Sequence, residues 1–215
     1  MWTRNVIYLR LPPMIELRDL NPQNFENIHQ IFPGNEGKYW VNFNWYWTNL
    51  SRRNEMIVAN LIYWKNSGLP VGFVAFGRHF KDRQLKIPVA GAYELYHMVI
   101  DVSEQGKGIG RTSTVYVLRA MANLDDCKQL VVACHPDNKS ATALYFSLGF
   151  QNIGKNYDDD PLYALDPKKI PDLKLNSFPG SQTQRPRNGA AEWSLESIQS
   201  EKEFDWTAWE NGFEI

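Results

Sequence analysis

Residues 105–111 read Gln-Gly-Lys-Gly-Ile-Gly-Arg. Glycines at alternate positions let a backbone approach an anion closely. Where such a turn opens a helix, the first N–H groups are unpaired and the dipole is positive. Phosphate is the ligand that arrangement suits. Two common phosphate motifs fail here. G-x-G-x-x-G needs glycine where Arg111 stands, and the Gly-Lys-Ser/Thr of a P-loop after four spacers is absent. The pattern that fits is Q-x-x-G-x-G, at Gln105, Gly108 and Gly110. A second block follows at residues 138–150, N-x-x-A-x-x-L-Y-x-x-x-G-F, carrying Asn138, Tyr145 and the pair Gly149-Phe150.

The surrounding elements are those such a turn needs. Residues 93–101 are rich in β-branched and aromatic side chains and read as a strand entering the turn. Residues 112–123 read as the helix leaving it. Residues 129–135 form a continuous apolar run, as a buried strand does. Asp137-Asn138 can cap a helix that runs to Leu148 and stops at Gly149. Upstream, residues 15–19 read as a first strand. A helix with Pro22 at its first position then runs to about Ile31. Residues 39–50 read as a second helix dense in Tyr39, Trp40, Phe43, Trp45, Tyr46 and Trp47. Residues 56–65 and 71–80 are strands joined by a turn-forming Asn-Ser-Gly-Leu-Pro. Residues 150–154 and 162–165 complete the sheet.

The two blocks together, with the strand before the first and the Gly-Phe closing the second, resemble the GNAT superfamily of acetyl-CoA-dependent N-acetyltransferases. The resemblance covers residues 14–165 and implies a mixed α/β (α+β) fold. Its central, mostly antiparallel sheet opens in a V near Ile100, with helices on both faces. Acetyl-CoA is the implied co-substrate. Gly106, Lys107, Gly108, Ile109, Gly110 and Arg111 are expected to hold its pyrophosphate beside Gln105. In the family the pantetheine arm pairs with the opened strand edge, which assigns Met98, Val99 and Ile100 to it. Asn138 matches the position that touches the arm from the second block. Tyr145 stands where the family keeps its general acid.

The implied reaction is attack of a neutral amine on a thioester. An alkyl amine has a pKa of about 10.4, so it arrives protonated and something must take that proton. Glu94 lies eleven residues before Gln105, a spacing at which some relatives place a catalytic glutamate. Tyr96, His97 and ordered water are the alternatives. Backbone N–H groups on the splayed strand can stabilise the oxyanion. No feature suggests a covalent acyl-enzyme, so Cys134 is not assigned that role. The acceptor is expected to be a primary amine on a small molecule, polyamine-like or another amine. Antibiotic and peptide or protein amines are alternatives, as is a non-catalytic CoA-binding interaction module. Glu36, Glu55 and Glu94 are the acids that could face a polyamine, and the aromatic run 39–47 could wall a cation pocket.

At 215 residues and 43% hydrophobic content the chain suits one domain with a real core. No apolar run approaches the about 20 residues of a membrane span, and residues 6–9 are too short for a signal segment. Cys127 and Cys134 offer neither a disulfide framework nor a metal pattern. No metal is expected, and a reducing cytoplasm is the expected setting. The organisation is a lead over 1–13, the acetyltransferase domain over 14–166, a Pro/Gly/Ser-rich linker over 167–191 and an acidic aromatic tail over 192–215. The tail holds seven acidic residues and one lysine, whereas the rest has 22 Lys and Arg against 17 Asp and Glu. A mildly basic body suits an anionic co-substrate, and it is too weakly basic to argue for nucleic acid. The tail is expected to dock on that body or on a second subunit of a homodimer.

Overall fold

The structure, a computed structural model, describes residues 15–21, 23–34 and 44–170. The lead, the tail and nearly all of the linker lie outside them, as do Pro22, Glu36, Tyr39, Trp40 and Phe43. Seven strands are described: β1 (Ile15–Asp19), β2 (Ile57–Trp64), β3 (Pro70–Phe80), β4 (Pro88–Ile100), β5 (Gln129–Ala133), β6 (Gln151–Lys155) and β7 (Pro161–Leu165). They form one sheet in the order β1-β2-β3-β4-β5-β7-β6. Every neighbouring pair is antiparallel except β4 with β5. That one parallel pair requires a crossover, and α2 (Ile109–Ala122) supplies it. The remaining helices are α1 (Asn44–Arg53) and α3 (Lys139–Ser147).

The sheet is covered on both faces, so its central strands are apolar on both sides. One core gathers Val74, Phe76, Leu95, Leu130 and Val132 against α2 residues Val115, Leu118 and Met121. The other gathers Leu61, Tyr63, Phe73 and Val99 against Ile28 and the α1 residue Trp47. No helix among the described residues is long and apolar enough to cross a membrane.

Several elements differ from the sequence expectation: β4 begins at Pro88 rather than at residue 93, and α1 runs on to Arg53 rather than ending at residue 50. The segment before Ile31 is a 3-10 helix, Phe25–Gln30, with only Ile28 buried. One buried side chain gives an α-helix too little apolar stripe to pack. The helix after the glycine turn begins at Ile109 rather than at residue 112. Ile109 is buried against the sheet, and that anchor draws Gly110 and Arg111 into the first turn.

The V is built by β4. Ala75 faces His97 and Phe76 faces Leu95, so Tyr96 is an extra residue, a bulge against β3. On the other edge β4 pairs with β5 only from Ala92 to Leu95. From Tyr96 to Ile100, β4 has no β5 partner. The opening therefore starts at Tyr96, with Ile100 inside it.

Candidate active site

The phosphate turn is shaped by its own backbone. Gly106 and Gly108 have φ of +74° and +83°, a region that L side chains adopt only with strain. Gly108 is the N-cap of α2, and no side chain caps that end. The first-turn N–H groups thus face a groove instead of a protein acceptor. Gly110 is different. A Cβ there would meet Ile100 at an ordinary 3.6 Å, so the fold alone does not demand glycine. A ligand approaching closely would.

The groove beside this turn has a volume of about 780 Å³. Met98, Val99 and Ile100 line it from the open edge of β4. Gln105, Gly106, Gly108, Ile109, Gly110 and Arg111 line it from the turn. Gln105 faces it with its amide already committed. Its Nε2 donates to the Ile100 carbonyl at 3.0 Å and to the Pro33 carbonyl at 3.1 Å. It fastens residues 33–34 to the turn. Arg111 lines the groove while its Nη1 donates to the Ser147 hydroxyl at 2.7 Å. Lys107 is drawn aside: its Nζ pairs with Glu104 at 2.9 Å and it is not part of the lining. Glu104 also accepts from Trp64 Nε1 at 2.9 Å, and these bonds hold its carboxyl below the usual range.

A second cavity, of about 530 Å³, lies on the other side of the opening. Met98, Asn138, Ala141 and Tyr145 line both spaces, so the two meet at those four residues. Asn138 caps α3, its Oδ1 accepting from the Ala141 N–H at 3.1 Å. Such a cap stabilises a helix by about 1 kcal/mol. Its amide nitrogen makes no bond among the described residues and remains for a ligand. Tyr145 is 8% exposed, with its ring edge-on to Phe150 at 5.7 Å. Its hydroxyl has no hydrogen-bond partner among the described residues. Burial first, then the nearby Cys134, pushes the phenol well above its ordinary pKa. It stays protonated through the neutral range, as a proton donor must.

Glu94 lines the second cavity and is 3% exposed. Burial raises its carboxyl pKa, and the hydrogen bond and charge of His79 oppose that rise. The alternatives to Glu94 are otherwise engaged. The Tyr96 hydroxyl donates to the Arg78 carbonyl, and burial pushes its phenol far up. His97 Nε2 lies 2.8 Å from Asn44 Oδ1, and burial pushes its pKa down to about 3. A buried, neutral, bonded imidazole is a weak base. Cys134 is buried with a raised pKa, opposite to an activated thiolate.

The wall opposite the sheet is aromatic and acidic. Trp47 stacks on Tyr96 with centroids 4.8 Å apart, and Tyr46 lines the same space. So two residues of the aromatic run, Tyr46 and Trp47, wall this cavity, and Trp45 does not line it. Glu55 is exposed and does not line it. The acids beside Glu94 are instead Asp158, Asp159 and Asp160, with Asn156 and Tyr157, from the β6–β7 turn. Arg83 spans the rim, its Nη2 2.8 Å from Asp158. Burial raises the Asp160 carboxyl, with His135 opposing. The sequence reading missed this turn. Its signal was Asn156-Tyr157 followed by three consecutive Asp between two strands.

Known proteins agree with this geometry. The model of the Acetyltransferase (GNAT) family matches residues 14–150. The chain belongs to the GNAT acetyltransferase family. Among curated proteins no sequence matches it significantly. Solved structures share its fold. An aminoglycoside acetyltransferase, AAC(6')-Ib, in complex with coenzyme A is 14% identical with a TM-score of 0.56, covering 72% of this chain and 96% of that one. Spermidine N-acetyltransferase from Vibrio cholerae, in complex with CoA and spermine, is 16% identical with a TM-score of 0.55, covering 73% and 97%. A domain from Methanocaldococcus jannaschii is 20% identical with a TM-score of 0.55, covering 72% and 99%. The described architecture is accordingly a GNAT sheet, mostly antiparallel and open between β4 and β5.

Proposed function

We propose that this GNAT acetyltransferase moves the acetyl group of acetyl-CoA to a primary amine of a small polyamine-like molecule, by direct attack in a ternary complex. The observation that carries the reading is the pair of spaces meeting at Met98, Asn138, Ala141 and Tyr145. The glycine turn suits the pyrophosphate, and the unpaired β4 edge from Tyr96 to Ile100 suits the pantetheine arm. The thioester would then lie at the junction, with the acceptor entering from the acidic, aromatic side. Four carboxylates, Glu94, Asp158, Asp159 and Asp160, against one guanidinium, Arg83, favour a cationic acceptor. Tyr46, Trp47, Tyr96 and Tyr157 add faces that attract ammonium groups.

In this reading Glu94 takes the ammonium proton, directly or through water. Free N–H groups of the open β4 stretch bond the carbonyl oxygen as it gains charge. As the C–S bond breaks, Tyr145 gives its proton to the departing sulfur, and the proton lost by the acylated nitrogen restores the phenol. Acetyl-CoA supplies the activated acyl group, and the four junction residues orient it.

The test is a free-CoA release screen against polyamines, aminoglycosides, amino acids and peptides, each with acetyl-CoA. Turnover fastest with polyamines is expected. Turnover confined to aminoglycosides or peptides would reassign the acceptor. Binding of coenzyme A without turnover of any amine would leave an interaction module.

A further inference from the structure

Glu94 does not stand alone in its strand. Gly77 on β3 is its register partner, and His79 lies two residues further along, on the same face of the sheet. Such diagonal neighbours are about 7–8 Å apart at the backbone, within reach of an imidazole. Gly77 places no side chain between them. A Cβ there would run into the Met56 carbonyl oxygen, so the position admits only glycine. The ladder is irregular at His79, since Arg78 faces Tyr93 and Phe80 faces Pro88. His79 Nδ1 lies 2.7 Å from Glu94 Oε2, with side chains 13% and 5% exposed. His79 does not line the acceptor cavity, whereas Glu94 does. Oε1 has no partner among the described residues.

We propose that His79 is a positioning residue for Glu94, its Nδ1–H holding Oε2 so that Oε1 is presented, ionised, to the acceptor amine. This rests on the reading of Glu94 as the base. A buried carboxylate is costly unless hydrogen-bonded to a partner, and His79 is that partner. On the adjoining elements the described neighbours of Glu94 are phenols and an apolar side chain. Tyr96 on β4 and Tyr157 on the β6–β7 turn feel its charge, and Tyr46 on α1 faces those two. The residue facing it from β5 is Val131. Arg83, a cation lining the same cavity, is paired with Asp158.

The experiment is the pH–rate profile of the full chain, with acetyl-CoA and spermidine as the probe acceptor, for wild type, E94Q, H79A, H79N and H79Q. Asparagine places an amide N–H where Nδ1 stands. Glutamine places it nearer the Nε2 position. H79A and H79Q should lose about tenfold in kcat on the acid limb, below the wild-type midpoint. Their acid limb should rise by about one pH unit, the equivalent of that factor. KM for acetyl-CoA should be unchanged, and H79N should recover most of the rate. The sign follows from His79 lowering the Glu94 pKa: without it the carboxyl stays protonated to higher pH. A wild-type acid limb and kcat in H79A would overturn the proposal. So would an H79N no faster than H79Q, a contrast that carries the test should H79A not fold. An E94Q variant as fast as wild type would remove the base itself, a failure distinct from that of His79.

Discussion

At the residue scale the site divides into groups the fold requires and groups it leaves free. Gly106 and Gly108 are required by their positive φ. Gly110 and the amide nitrogen of Asn138 are not required by the protein's own packing or hydrogen bonds. Replacing Gly108 by Asp should abolish coenzyme A binding, because a like charge would sit at the phosphate on a strained backbone. Titration calorimetry showing wild-type affinity would contradict the pyrophosphate assignment. Tyr145→Phe keeps the ring against Phe150 and removes the uncommitted hydroxyl. It should lower kcat by about 100–10,000-fold, the range for loss of one acid catalyst. Coenzyme A affinity should stay within twofold. Unchanged turnover across pH 7 to 9 would end the acid role. The placement of Gln105, Gly108, Gly110 and Asn138 at the groove was legible in the sequence because each belongs to a local turn or helix start, whereas Tyr145 came from the family resemblance. His79 was not, because its link to Glu94 is a cross-strand diagonal that only the β3–β4 register creates.

At the scale of elements, β4 does most of the positioning. Its bulge at Tyr96 ends the pairing with β5 and places Glu94, Tyr96, His97 and Met98 along one cavity. The strand's existence was readable from its apolar and β-branched composition. The bulge was not, because it depends on which residues of β3 stand opposite. The 3-10 helix in place of an α-helix before Ile31 shows the same limit, since capping signals cannot reveal how little surface a segment buries. His97 ties α1 to β4 through Asn44 and is held neutral by burial, with its pKa near 3. The unfolded chain protonates this group below about pH 6.5, and the folded chain does not. Its contribution is therefore full above pH 6.5 and is lost progressively as pH falls toward 3. Between pH 6.5 and 5 that amounts to about 2 kcal/mol. Denaturant midpoints at pH 7 and pH 5 should accordingly converge in His97→Gln relative to wild type. An unchanged gap would show that His97 does not carry this dependence.

For the molecule as a whole, the strand order sets where charge accumulates. Because β7 lies between β5 and β6, the β6–β7 turn comes to rest at the end of β5, where Cys134 donates its N–H to Pro161. That puts Asp158, Asp159 and Asp160 across the cavity from Glu94, a placement invisible in a run of letters. The family, the sheet and the glycine groove were all visible there, since motif spacing carries them. If the acids attract the acceptor, KM for spermidine should rise several-fold between about 0.1 M and 1 M salt, as the Debye length falls from about 10 to about 3 Å. A neutral-salt series with flat KM would remove the electrostatic argument. Acetyl transfer is proposed to take place at the junction of the two spaces. Its most direct measurement is acceptor-dependent CoA release by the full chain with acetyl-CoA and spermidine, paired with mass analysis of the amine. One acetylated amine is expected for each CoA released. CoA that binds but is never released in an acceptor-dependent way, with any amine of the panel, would contradict it.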